Sequence, residues 1–199
     1  MKLISKFFLL IAIIFITVGI VLYKLPKEEA PTQRVLSTTS NIATGSAQGT
    51  VSNSKCHARY VEPSDPQAVL PDQTCTPGAI NIGVTQDNLY ETVCKSGFTQ
   101  TIRPPVSYTN KLKAEQIAEY GYSDTNLKDY EEDHLISLEL GGDPNSPLNL
   151  WPEPHGSPNE KDKVENYLNQ QVCSGKIKLS DAQKIISGNW YEFYKQIAN

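Results

Sequence analysis

The sequence predicts an α+β domain, with a β-rich amino-terminal half, a ββα unit after it and a closing helix. Three observations carry that prediction. Residues 56–108 are cut into short runs by Pro63, Pro66, Pro71, Pro77, Pro104 and Pro105, which exclude long helices there. Residues 130–161 read in order as strand, Gly-Gly turn, loop and helix. Beyond them, two stretches place apolar residues at helical spacing.

The chain opens on FFLLIAIIFITVGIVLY, residues 7–23, which carry no charge and follow Lys2 and Lys6. About 17–25 apolar residues suffice for a helix to cross a bilayer. No small-x-small cleavage pattern follows, so residues 1–26 read as a signal anchor in preference to a cleaved signal peptide. In either case the rest of the chain is expected outside the cytoplasm. It would face the periplasm or the exterior from a membrane helix, or be secreted if the segment is removed. Residues 27–55 are rich in Ser, Thr, Gly, Ala and Asn without aromatics, the composition of a flexible linker. The folded domain is then 56–199, an ordinary single-domain size, expected to be a monomer.

Cysteine usage agrees with export. Cys56, Cys75, Cys94 and Cys173 all follow the apolar segment and include no CxxC pair, so two disulfides are expected rather than a zinc site. Four cysteines allow three connectivities. Cys94–Cys173 would clamp a late helix to the upstream strands and leave Cys56–Cys75 to close a local loop.

Within the domain, Ala79–Val84, Tyr90–Cys94 and Phe98–Ile102 read as strands between glycines. Residues 109–122 read as a helix, with Thr109 as its cap and Gly121 as its stop. Tyr130–Leu138 reads as a strand bearing Asp133 and His134, followed by the turn Gly141-Gly142. The next helix opens at Pro158, with Ser157 and Glu160 spaced as a capping box, and runs to Cys173. Its apolar set is Val164, Tyr167, Leu168 and Val172. A second box, Ser180 to Gln183, opens a last helix that Ser187-Gly188-Asn189 interrupts before an aromatic turn.

Asp133-His134-Leu-Ile, Gly141-Gly142, Asn149-Leu150-Trp151-Pro152 and Lys161 together resemble the HNH endonuclease motif of the His-Me finger (ββα-metal) superfamily. The likeness is closest to small exported or anchored bacterial proteins of that type and covers about 130–190. It implies a metal-dependent endonuclease that hydrolyses DNA, with RNA as the alternative polymer, and has little sequence preference. His134 would take a proton from the attacking water, as a neutral imidazole does near neutral pH. Asn149 would hold the His134 ring through its amide, and Lys161 would contact a phosphate. Asp133 would bind a divalent cation, Mg²⁺ or Mn²⁺, which acts as a Lewis acid on the phosphate. The motif's last histidine is missing from the helix start. Asn159 is its nearest positional substitute and His155 the second choice, with Asp162 and Glu165 weaker; an oxygen-rich set suits Mg²⁺ better than zinc. Glu131 shares a strand face with Asp133 and is an additional carboxylate.

Charge points the other way. From residue 56 onward, twelve Lys and Arg face twenty Asp and Glu, a net charge of −8, where a nucleic-acid binder usually shows a basic footprint. A second class therefore stands beside the nuclease: an inactive HNH-fold module that binds a partner at the cell envelope. Arg103, before Pro104-Pro105, suits a phosphate contact or a carboxylate anchor equally.

Overall fold

The computed structural model describes residues 55–154 and 158–198. The predicted membrane segment, almost all of the linker and His155 lie outside the described residues. Among those described, no helix is long and apolar enough to cross a membrane.

The architecture is α+β, with helices dominating two small sheets. A first hairpin pairs β1 (Arg59–Tyr60) with β2 (Val69–Leu70), antiparallel. After a 3₁₀ turn at Gln86–Glu91 come the short helix α1 (Phe98–Ile102) and the longer α2 (Val106–Glu119). Strand β3 (Tyr130–His134) pairs antiparallel with β4 (Leu150–Pro154), with His134 opposite Leu150 and Asp133 opposite Trp151. Helices α3 (Glu160–Cys173) and α4 (Leu179–Ile197) close the chain and pack on each other.

The amino-terminal half is not β-rich. Of the three runs expected as strands, Ala79–Val84 contributes one bridge, Ile80 to Gly142, and Phe98–Ile102 is α1. Tyr90–Cys94 begins in the 3₁₀ turn. Runs of five or six residues carry too few repeats to separate a period of 2 from one of 3.6, and these were settled by tertiary context. Strand β3 also stops at His134, short of Leu138, because a 3₁₀ turn at Leu138–Leu140 takes over.

Helix boundaries shift for local reasons. α2 starts at Val106, directly after Pro105, and not at Thr109. Its buried positions are Lys113, Gln116 and Ile117, so two of the three are polar. Those two polar residues hold the β3–β4 pair: Lys113 Nζ donates to the Leu127 and Tyr130 carbonyls at 2.8 Å, and Gln116 Nε2 to the Leu150 carbonyl at 2.8 Å. α3 starts at Glu160 with Asn159 as its cap, reciprocated by Asp162, in place of the expected Ser157–Glu160 box. α4 has no side-chain cap from Ser180; its first residue, Leu179, donates instead to Gln86 Oε1 at 2.8 Å. The predicted interruption is real, and Asn189 has non-helical backbone angles.

The main core gathers Val164, Leu168 and Val172 of α3 against Ala182, Ile186 and Trp190 of α4, with Ile136 and Leu140 of the turn beneath them. Fully burying an aliphatic or aromatic side chain stabilises by about 1.5–3 kcal/mol, so this seam fixes α3 on α4 and on the turn after β3. A second cluster joins Val69, Tyr120, Leu135 and Trp151. Disulfides link Cys56 to Cys75 and Cys94 to Cys173. The chain-entropy model assigns them about 3 and about 4.5 kcal/mol from their loop lengths. Two disulfides fit an oxidising compartment.

Candidate functional site

The site forms where β3 ends and α3 begins. A polar cavity of about 310 Å³ is lined there by Arg103, Glu131, Glu132, Asp133, His134, Asp162 and Glu165. A larger groove beside the Cys94–Cys173 bridge, about 610 Å³, contains no histidine and one carboxylate, Glu139.

The turn after β3 is shaped by glycine and asparagine. Gly141 has φ 74°, a left-handed conformation, and a Cβ at Gly142 would sit 1.8 Å from the Ile136 carbonyl oxygen. That close approach lets fully buried Asn149 reach across the loop. Its Oδ1 accepts from the Ile136 amide at 2.9 Å, and its Nδ2 donates to the carbonyls of Ile136 and Asp143 at 3.0 Å. Asn149 therefore touches backbone and not the His134 ring, contrary to expectation. It acts one step away, because the next carbonyl, that of Pro144, lies 3.0 Å from His134 Nε2.

His134 is 7% exposed. A carbonyl only accepts, so in the neutral ring Nε2 carries the hydrogen and Nδ1 the lone pair. Among the described residues Nδ1 makes no hydrogen bond. Burial pushes the imidazole below its ordinary 6.5, with the Lys161 and Arg103 charges acting the same way, while the Pro144 carbonyl and Asp133 oppose them. The ring is thus an oriented neutral base at neutral pH.

Asp133 faces a different environment. Its Oδ2 accepts from Trp151 Nε1 at 3.0 Å across the strand pair, and both its oxygens lie within 3.0 Å of Lys161 Nζ. Lys161, expected on a phosphate, is instead 1% exposed, and its ammonium also donates to the His134 carbonyl at 2.9 Å and to Glu165 at 2.5 Å. Three donors meet three acceptor groups, so the ammonium is satisfied. Neighbouring carboxylates hold Lys161 above the usual lysine range despite its burial.

Burial acts the opposite way on the surrounding acids. It pushes Glu132 up to about 8 and Glu153 well above 4.5, and acts in the same direction on Glu165, where the Lys161 ammonium opposes it. Glu153 is 2% exposed, stands opposite Glu131 in the strand register and accepts from Asn159 Nδ2 at 3.3 Å. Like charges at directly opposed positions destabilise a strand pair. Protonation of Glu153 relieves that cost, and with Glu132 protonated as well the cavity is less negative at neutral pH than its composition suggests, while Glu165 stays charged against Lys161.

Among the described residues, the two predicted metal ligands Asp133 and Asn159 are each engaged by the protein itself. Asn159 Oδ1 is the cap of α3, accepting from the Lys161 and Asp162 amides. Asp133 is held by an ammonium, Glu165 by the same ammonium, and His155 lies outside the described residues. Among the described residues no cluster of three or more His, Cys, Asp or Glu has metal-holding geometry. The oxygens suited to Mg²⁺ already hold a cation, so as arranged they do not fit the ion that the motif implies.

Sequence reasoning left Arg103 undecided and passed over Glu132 and Glu153. Arg103 is exposed, lines the cavity with His134 and makes no ion pair among the described residues. Its signal was the adjacent Pro104-Pro105, which ends α1 and aims the chain along the cavity's rim. Neither the family models nor the curated proteins nor the solved structures compared with this chain contain a match.

Proposed function

We propose that this domain is an endonuclease-type phosphodiesterase acting on DNA, with RNA as the alternative polymer, outside the cytoplasm. One observation carries the reading: a buried histidine, held in one tautomer by the Pro144 carbonyl, lines a polar cavity together with an arginine that has no ion pair among the described residues. His134 Nδ1 takes a proton from water, and the resulting hydroxide attacks phosphorus. Arg103 binds the non-bridging oxygens and offsets the charge that grows on them. The leaving oxygen is protonated from solvent. Asn149 and Pro144 act as positioning residues, holding the imidazole for that transfer. No step is assigned to a divalent ion, because Lys161 already occupies the oxygens of Asp133 and Glu165.

The acidic lining favours a second reading, in which the finger is a scaffold that binds an envelope partner. Oxidised protein incubated with supercoiled plasmid, single-stranded DNA and RNA, beside His134→Ala, separates the two. Cleavage lost in the variant supports the nuclease. Equal products from both proteins remove His134 from the chemistry, and no cleavage of any polymer leaves the scaffold.

A further inference from the structure

We propose that the Lys161 ammonium is the resident cation of this site, filling the oxygen cage between Asp133 and Glu165 in which a divalent metal would otherwise sit. The inference rests on the site described above but not on any activity of it.

The cage is built from oxygen donors that suit a hard cation: a carboxylate with both oxygens engaged, a second carboxylate and a backbone carbonyl. Around it the geometry is fixed. Trp151 holds Asp133 from across the strand, and the Asn159–Asp162 box anchors the first turn of α3, from which Lys161 extends. Mg²⁺ needs its oxygens at about 2.0–2.1 Å in near-octahedral array. An ion that close to the Asp133 and Glu165 oxygens would overlap the ammonium, which sits 2.5–3.0 Å from the same atoms. The Lys161 side chain that fills the cage is itself 1% exposed.

Its place in the sequence sharpens the point. The first turn of a helix carries the positive end of the macrodipole, where a cation is disfavoured and acids are preferred. A lysine buried there persists because the carboxylates around it outweigh the dipole. The chain thus supplies the cation covalently, and the site's assembly is independent of metal supply.

The test is Mn²⁺ alone, titrated into the full-length oxidised chain in mild detergent, followed by the electron-spin signal of free Mn²⁺ and by the NMR signals of the Lys161 ammonium and His134 ring. The expected result is a sharp Lys161 ammonium signal that Mn²⁺ does not broaden, with no stoichiometric uptake near His134. Lys161→Ala should open the cage and bind Mn²⁺ at least about ten-fold more tightly than the wild type, since one repelling charge is gone. Stoichiometric Mn²⁺ uptake by the wild type that broadens the Lys161 and His134 signals would overturn the proposal, whether or not the variant folds. Failure of cleavage with Mn²⁺ still excluded counts against the nuclease alone. Mn²⁺ uptake with His134-dependent cleavage intact counts against the resident cation alone.

Discussion

Asp133 and His134 are neighbours, yet they belong to opposite kinds of environment. On the closed side, Asp133, Lys161, Glu165 and Trp151 satisfy one another in a packed cluster. On the open side, His134 is tethered by one carbonyl, has a ring nitrogen with no hydrogen-bond partner among the described residues and shares its cavity with Arg103. The difference teaches that a two-residue signature can divide its work. One residue ties the strand to the helix, and the other lines the cavity beside it, where the proposed chemistry would use it.

That division is open to measurement. Lys161→Ala leaves Asp133 and Glu165 buried without their counter-ion and should cost about 3–5 kcal/mol, read as a lower urea midpoint at unchanged slope. A loss below 1 kcal/mol would mean that the closed side holds nothing together. Asn149→Ala orphans three buried backbone groups and should cost about 2–3 kcal/mol. It should also slow cleavage, because the Pro144 carbonyl is no longer fixed; full activity in that variant would break the link from Asn149 to His134.

Glu132 gives a smaller effect with a definite sign. Its folded value of about 8 lies above the ordinary 4.5, so its contribution is fully present below 4.5 and is lost as pH rises through about 8. Glu132→Gln should therefore gain stability relative to the wild type at pH 8 more than at pH 5, in parallel thermal melts. The smallest stability change belongs to His134→Gln, within about 0.5 kcal/mol at pH 7.5, beside a fall in cleavage of about 10²–10⁴-fold. Because the folded imidazole is lowered below 6.5, its contribution is complete above that pH and is lost as pH falls toward the folded value. The glutamine variant should be flatter across that acidic window. A large stability loss at pH 7.5 instead would put His134 on the structural side.

The β3–turn–β4 region and the two closing helices were legible where their signals are local and steric. Gly141-Gly142 and the apolar spacing along α3 and α4 follow from short-range geometry, whereas the partner of Asn149 and the choice of Cys94 with Cys173 among three connectivities needed the fold. Lys161 was misjudged because a lysine is rarely buried, and only the fold reveals four acceptor atoms around it. Asn159 was ambiguous for a chemical reason: the same amide oxygen serves a metal or a helix cap, and two overlapping cap patterns, at 157 and 159, lay within three residues. The amino-terminal half resisted because its short runs fit either period, while its inward helix face is built on Lys113 and Gln116.

The Asn149 staple has a consequence for how the molecule assembles. It spans 13 residues, and the bond from Lys161 to the His134 carbonyl spans 27, whereas the tie from Gln86 to α4 spans 93. Short closures cost less chain entropy and are reached sooner, so residues 130–173 are set to organise ahead of the segment that carries Arg103. In hydrogen exchange from the native state, the amides of Ile136, Leu150 and Lys161 should therefore open together, as one late-melting block.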